Sequence, residues 1–281
     1  ATVLKAFDAK TSVNLVDSNT IATLTGTTAA DFVTVLTAGA TAGLAGSEAA
    51  TIGGTVSAAD ANSVANVTSG IVTATLTAGT AAAVNTALAN AAATDALAMT
   101  LSAGTAAATD LTGLDGKSSV AIGAGAITTV TGTAAQIASV QAAAGITKPA
   151  GYIVQPTAGT AVAADLTAID LNNSTTVDAS LITGINGTAD EVNAVVAAAG
   201  INTASNYTST LSGTSVNATV NTILGDTTGV VTATLTAGAA AAVNTALANA
   251  AATDALTITI TDTSVDATVL KAFDAKTSVN L

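Results

Sequence analysis

The first fifteen residues, ATVLKAFDAKTSVNL (Ala1–Leu15), return letter for letter 266 residues later as Ala267–Leu281. Repetition at a fixed period makes each structural unit pack on its neighbours instead of around one central core, so it restricts the fold more than any single motif does. The interval reads as one 266-residue super-repeat of a longer tandem array, with residues 267–281 overlapping into the next period. A near-copy lies inside it. Gly70–Leu97 recurs as Gly229–Leu256, changed only at Ile71/Val230 and Thr80/Ala239. That offset is 159 residues, so a shorter unit must underlie both.

The shorter unit emerges when the small-residue turns are aligned: Gly26, Gly54, Gly79, Gly104, Gly132, Gly159, Gly187, Gly213, Gly238 and Asp262. Their spacings run from 24 to 30 residues and close on 266 with the equivalent of Gly26, so ten coils of about 26 residues make one super-repeat. Each coil opens on a short alternating stretch, such as Thr73–Thr77 (TATLT) or Thr257–Thr261 (TITIT), the pattern of a half-buried strand. An Ala-rich helix follows. Its start is marked by Ser or Thr three residues before Asp, Glu or Gln: Thr28/Asp31, Ser57/Asp60, Thr133/Gln136, Thr188/Glu191 and Thr263/Asp266. Apolar residues then recur at helical spacing, as in Val3/Phe7, Val84/Leu88 and Val220/Leu224, and Gly39, Gly145, Gly200 and Gly225 read as helix stops. Extra extended pieces at 13–18, 120–125 and 175–180 suggest a second small sheet along one edge, and Pro156 takes a core strand position in its coil.

The expected fold is therefore an α/β repeat solenoid, continuous over residues 1–281, with a stacked parallel sheet on one face and short helices on the other. A mostly-β solenoid is the alternative. VTGTAAQIASVQAAAGI (Val130–Ile146) and INGTADEVNAVVAAAGI (Ile185–Ile201), with weaker echoes in nearly every coil, resemble the Ala/Thr/Val-rich tandem repeats of giant cell-surface or filament proteins of cyanobacteria and related bacteria. The resemblance implies an extracellular or cell-surface location and carries no catalytic residue with it.

Little of the usual catalytic equipment is present. The chain has no His, Cys or Trp, and all six basic residues are Lys, which leaves no imidazole base, thiol nucleophile or guanidinium clamp. The adjacent Asp190 and Glu191 read as a helix start, so a non-enzymatic protein is expected. A net charge of −12 argues against nucleic acid as a partner. No apolar run long enough to cross a membrane occurs. A start at Ala1, without Met or a signal peptide, reads as a processed chain or a fragment.

Two ligand questions come from the residues themselves. Acidity raises calcium, with Asp60, Asp115, Asp178, Asp262 and Asp266 as candidates beside Asp170 and Asp226, although no calcium-loop spacing occurs and helix caps or turns account for most of them. No other cofactor is expected. A second pattern is a threonine ladder, formed when core residues such as Leu24, Leu76 and Leu235 are aligned. The position before the core residue then reads Thr23, Thr51, Thr75, Thr100, Thr129, Thr210, Thr234 and Thr259. Alternation turns these hydroxyls outward, towards packing between chains, glycans or, as a lesser reading, ice.

Neither end of the sequence reads as a polar cap. The function expected is a structural component of an extracellular filament, sheath or surface layer, self-associating by head-to-tail coil stacking and by lateral contact. An adhesin stalk is the alternative. A discrete subunit that polymerises through its duplicated ends is a third reading.

Overall fold

A computed structural model of the chain describes residues 1–10, 14, 20–149 and 151–279. Strands and helices alternate along it, and every recorded strand pairing is parallel. Two compact units divide the chain, Ala1–Thr129 with Ala142–Ala150 and Val130–Gln141 with Gly151–Leu281.

In the first unit, strands Thr23–Gly26, Ala49–Val56, Val72–Leu76 and Ala96–Ala98 lie in chain order in one sheet. Parallel neighbours need a crossover, and the helices Ala29–Ala38, Ala58–Ala65 and Ala81–Ala87 provide it. In the second unit, Gly159–Val162, Ile182–Thr188, Ser209–Ser215, Val231–Leu235 and Ala255–Thr257 repeat the arrangement. Their crossovers are the helices Ala163–Leu171, Ala189–Ala197, Asn217–Asp226 and Ala240–Ala246. Within each unit, successive helices pack side by side over the sheet.

Alternation decides which side chains enter the core. In Val72–Leu76, Val72, Ala74 and Leu76 are buried while Thr73 and Thr75 are exposed, and Val231–Leu235 does the same. From the helices come single branched residues such as Val64, Val84, Leu166, Val192 and Val243. The opening residue of many helices is a buried alanine: Ala29, Ala81, Ala108, Ala134, Ala163, Ala189 and Ala240. The layers thus meet over a core little deeper than a methyl group at each helix start.

The extra extended pieces expected at 120–125 and 175–180 form strands, the first in a two-stranded sheet and the second within a five-stranded sheet rather than in a small edge sheet. Ile122–Gly123 pairs with Ile146–Thr147, and Val177–Ala179 pairs with Ile201–Thr203 and with Val154 of Ile153–Pro156. Pro156 closes its strand as a buried residue. The piece expected at 13–18 lies, apart from Asn14, outside the described residues.

Local details differ from the sequence reading where tertiary partners compete. Reciprocal caps form at Thr133/Gln136 and Thr188/Glu191, and Ser57 accepts from the Asp60 amide. Thr28 makes no side-chain cap bond: the Asp31 amide donates to the Thr28 carbonyl at 3.0 Å, and the Asp31 carboxylate, which would return the reciprocal bond, is taken by the Lys5 ammonium at 2.6 Å and the Thr2 hydroxyl at 2.7 Å. Thr263 and Asp266 form no cap pair either; Asp266 itself caps the helix Ala267–Asp274 by accepting the Thr268 amide at 2.8 Å. Of the four glycine stops, Gly39 ends its helix at φ 50°. Gly225 lies inside Asn217–Asp226, while Gly145 and Gly200 come after their helices have ended.

Candidate functional site

The threonines face outward as alternation requires, yet they do not stand opposite one another as one ladder. Thr51 pairs with Thr25 and Thr73, not with Thr23 and Thr75. Thr75 pairs with Thr55 and Ala98, and Thr100 forms a bridge with Gly123. In the second unit Thr210 pairs with Thr232, while Thr234 pairs with Thr214 and Thr257. Thr129 is half-buried in the strand Ile127–Gly132, and Thr259 is exposed. The cause is a two-residue bulge. Register jumps between Thr51 and Thr55 and again between Thr210 and Thr214, where Gly54 and Gly213 adopt φ 79° and 73°. Glycine takes that left-handed conformation without the Cβ clash. A slip of two keeps each threonine on its face but breaks the columns into short runs separated by Ala96, Ala98 and Ala255.

The acidic candidates are dispersed, and among the described residues no group of three His, Cys, Asp or Glu gathers to hold a metal. Asp60 accepts from the Ser57 hydroxyl at 2.8 Å, and Asp178 accepts from the Ser180 amide at 3.2 Å. Asp115 and Asp170 close against Gly145 and Gly200, where an added Cβ would stand 1.9 Å from a carboxylate oxygen in each case. Asp226 accepts the Tyr207 phenol at 2.9 Å; burial, reinforced by this carboxylate, pushes the phenol far above its ordinary pKa. The hydroxyl and amide of Thr268 hold the Asp266 carboxyl below its ordinary value.

Asp262 has a role that explains a difference between the near-copies. In the first, Thr80 caps its helix by accepting from the Ala83 amide at 3.3 Å. The second has Ala239 there, and Asp262 of the following strand–helix module accepts the Ala240 amide at 2.5 Å instead. The position equivalent to Asp262 in the first copy is Ala103, so the two copies satisfy the same helix start from different places.

Sequence reasoning missed the contacts that join one module to the next. Asp95, only 4% exposed, accepts the Val72 amide at 2.7 Å through one carboxylate oxygen and the Ala92 amide at 2.9 Å through the other. Asp254 repeats this with Val231 at 2.9 Å and Ala251 at 2.8 Å. A hydroxyl pair from the following module closes each corner. The Asp95 carbonyl accepts from the Ser119 amide and hydroxyl at 2.7 and 2.9 Å, and Ser118 bridges the backbone of Leu97. At the equivalent corner, Ser278 binds the Asp254 carbonyl and Thr277 bridges Leu256. Thr68 on Glu48 and Thr227 on Tyr207 follow the same plan, each accepting from an amide two residues on, at Gly70 and Gly229. Short hydroxyl side chains suit this because they donate and accept within one turn. The available signal was an Asp kept at the same place in two coils otherwise free of charge.

Lysine completes the corner. Lys117 donates to the carbonyl of Asn85 at 2.6 Å, near the end of the Ala81–Ala87 helix, and Lys276 donates to the Leu247 carbonyl, which ends Ala240–Ala246. The buried Phe273 belongs to the helix Ala267–Asp274, which packs against Ala240–Ala246. In the first copy of this sequence the helix is Thr2–Asp8, and it buries none of its residues. Val3 is 70% and Phe7 58% exposed there, against 0% for Phe273. Of the apolar pair expected to form a core face, both members are thus exposed in one copy, whereas in the other Phe273 is buried and Val269 half-buried.

Comparison with protein-family models, curated proteins and solved structures found no match.

Proposed function

We propose that this chain is a stretch of an α/β solenoid serving as a structural component of an extracellular filament, sheath or surface layer. One observation carries the reading: Phe273, Lys276, Thr277 and Ser278 dock on the module Gly229–Leu256, and the same four side chains recur as Phe7, Lys10, Thr11 and Ser12. A sequence able to dock on the end of its own period can extend without limit in a tandem array. Support also comes from the repeated hydroxyl–carboxylate corner, which joins neighbours by backbone geometry and needs no cofactor. The chain's acidity opposes compaction into amorphous aggregates. Outward threonines and the lateral faces are left for contact with other copies or with glycans.

Electron microscopy of the native material tests this. Fibres or sheets with a meridional spacing of about 4.8 Å are expected, the separation of stacked strands. Native material without fibres, whose chains sediment as dispersed monomers at all concentrations, would overturn it.

A further inference from the structure

We infer that Lys117, Asn85 and Asp110 form the site of an intramolecular isopeptide cross-link, an amide bond from the Lys117 side chain to the side-chain carbonyl carbon of Asn85 that joins one strand–helix module covalently to the next. Three side chains from two modules converge there. The Lys117 ammonium donates to Asn85 Oδ1 at 2.8 Å and to the Asn85 backbone carbonyl at 2.6 Å. Asn85 Nδ2 in turn donates to Asp110 Oδ1 at 2.9 Å. The side-chain amide lies against Gly113, where an added Cβ would stand 3.0 Å from both Oδ1 and Nδ2. The amine of one module is thus held on the amide oxygen of the other, and a carboxylate on the nitrogen that must leave. One carbonyl bond length added to the Oδ1 contact puts Nζ within about 4 Å of the carbon to be attacked, against roughly 3–3.5 Å for a near-attack contact.

The step balances without a co-reactant. Once Nζ has shed one proton to solvent, which reaches this half-buried corner, its lone pair forms the bond to Cγ. The tetrahedral adduct collapses by breaking the Cγ–Nδ2 bond. Asp110, already bonded to Nδ2, hands it a proton and is reprotonated at the expense of the acylated Nζ, so the nitrogen leaves as ammonia. An ammonium and a primary amide become a secondary amide and an ammonium ion, with nothing oxidised or reduced. The product has its partner in place, because the N–H that remains on Nζ keeps the Asn85 backbone carbonyl as acceptor.

The near-copy shows the same corner with an incomplete set. Asn244 and Lys276 keep the places of Asn85 and Lys117, 159 residues on, but Val269 stands for Asp110 and Ala272 for Gly113. Lys276 there donates to the Leu247 carbonyl, and Asn244 Oδ1 is buried with no hydrogen-bond partner among the described residues. Of these two corners, amine and amide meet only in the one that has the carboxylate and the glycine. A bond at that corner would close residues 85–117 into a covalent ring, doing in a cysteine-free chain what a disulfide does elsewhere.

Intact-mass spectrometry of the purified full chain, followed until its mass is constant, tests this. The final mass should fall short of that of the sequence by one ammonia, about 17 Da. Trypsin should no longer cut after Lys117, and cleavage before aspartates should release fragments 60–94 and 115–164 joined as one species. Lys117→Arg, which keeps the cation in place, Asn85→Ala and Asp110→Asn should each restore the full mass in a chain that circular dichroism shows to be folded. The Asn244/Lys276 corner should stay unlinked. A chain of full mass whose two fragments separate overturns the inference. So does the same loss of mass in Lys117→Arg, because a cyclic imide at asparagine sheds the same ammonia without joining fragments. A link that forms as fully in Asp110→Asn, or one at Asn244/Lys276, overturns the part given to the carboxylate. Fibrous native material with unlinked modules would leave the structural role standing and remove only the cross-link.

Discussion

Replacing Asp95 or Asp254 with Asn tests whether the module corners hold the protein together. The change is isosteric, and the effect follows from hydrogen-bond polarity. Each carboxylate accepts two backbone amides, one from its own turn and one from the neighbouring strand. Asn offers a single acceptor, and its amino group must face the other N–H, donor against donor. One charge-assisted bond is lost and one buried amide is left without a partner, which together cost about 2–3 kcal/mol. Alanine loses both bonds and should cost about 3–5 kcal/mol on the same basis. Because the corners occur in near-identical modules, Asp95→Asn and Asp254→Asn should cost the same within about 0.5 kcal/mol, and with no shared partner their effects should add. Urea unfolding followed by circular dichroism gives the magnitude, and hydrogen exchange at the Val72 and Val231 amides locates it. Asp60→Asn is the control, since that carboxylate is exposed and bonded only at a helix start. A loss below about 1 kcal/mol, or one no larger than the control's, would refute the view that these carboxylates brace the corners.

Gly70→Ala and Gly229→Ala should each destabilise by about 2–3 kcal/mol, because the new Cβ would lie 2.4 Å from the Glu48 carbonyl oxygen and 2.2 Å from that of Tyr207. Gly125→Ala, with nothing within 4 Å, should be near neutral in the same thermal melts. The two tyrosines give a pH test in a chain without tryptophan. Burial raises both phenols, Tyr207 the more strongly with Asp226 adding to it, while the Gln141 bond partly offsets the rise at Tyr152. The folded state therefore keeps protons that the unfolded chain gives up above its pKa of about 10. The stability these groups contribute is complete below that pH and is lost as pH rises through the folded values. Absorbance at the phenolate band should appear together with the loss of circular dichroism; a phenolate transition near the ordinary tyrosine pKa in a still-folded chain would contradict the burial argument.

Periodicity carried the reading of alternating strand and helix because it is a property of neighbours in sequence: Val72, Ala74 and Leu76 point one way whatever lies beside them. Reciprocal caps such as Thr188/Glu191 were legible for the same reason, since both partners sit within one turn. Register was not. Aligning modules by their turns counts residues, whereas pairing follows hydrogen bonds through the strand, and the bulges at Gly54 and Gly213 absorb two residues between the two measures. Asp31 shows a second limit. Its spacing from Thr28 fits a cap, but Lys5, 26 residues away, is a stronger partner than a local amide. The corner carboxylates were read past because an isolated Asp in an apolar coil has no local signature; only its two distant amides reveal its use.

The methyl-deep packing at the helix starts has a consequence for how such a sequence can change. An alanine pinned between helix and sheet, like Ala81 or Ala240, leaves no volume for a larger side chain, so variation is confined to positions that face away. The two differences between Gly70–Leu97 and Gly229–Leu256, Ile71/Val230 and Thr80/Ala239, fall on exposed residues, and the cap lost with Thr80 is recovered through Asp262. Modules that drift only on the outside remain interchangeable on the inside. Unequal recombination between them can then delete or duplicate whole modules in frame, and the gene can alter the length of its product without inventing a new interface.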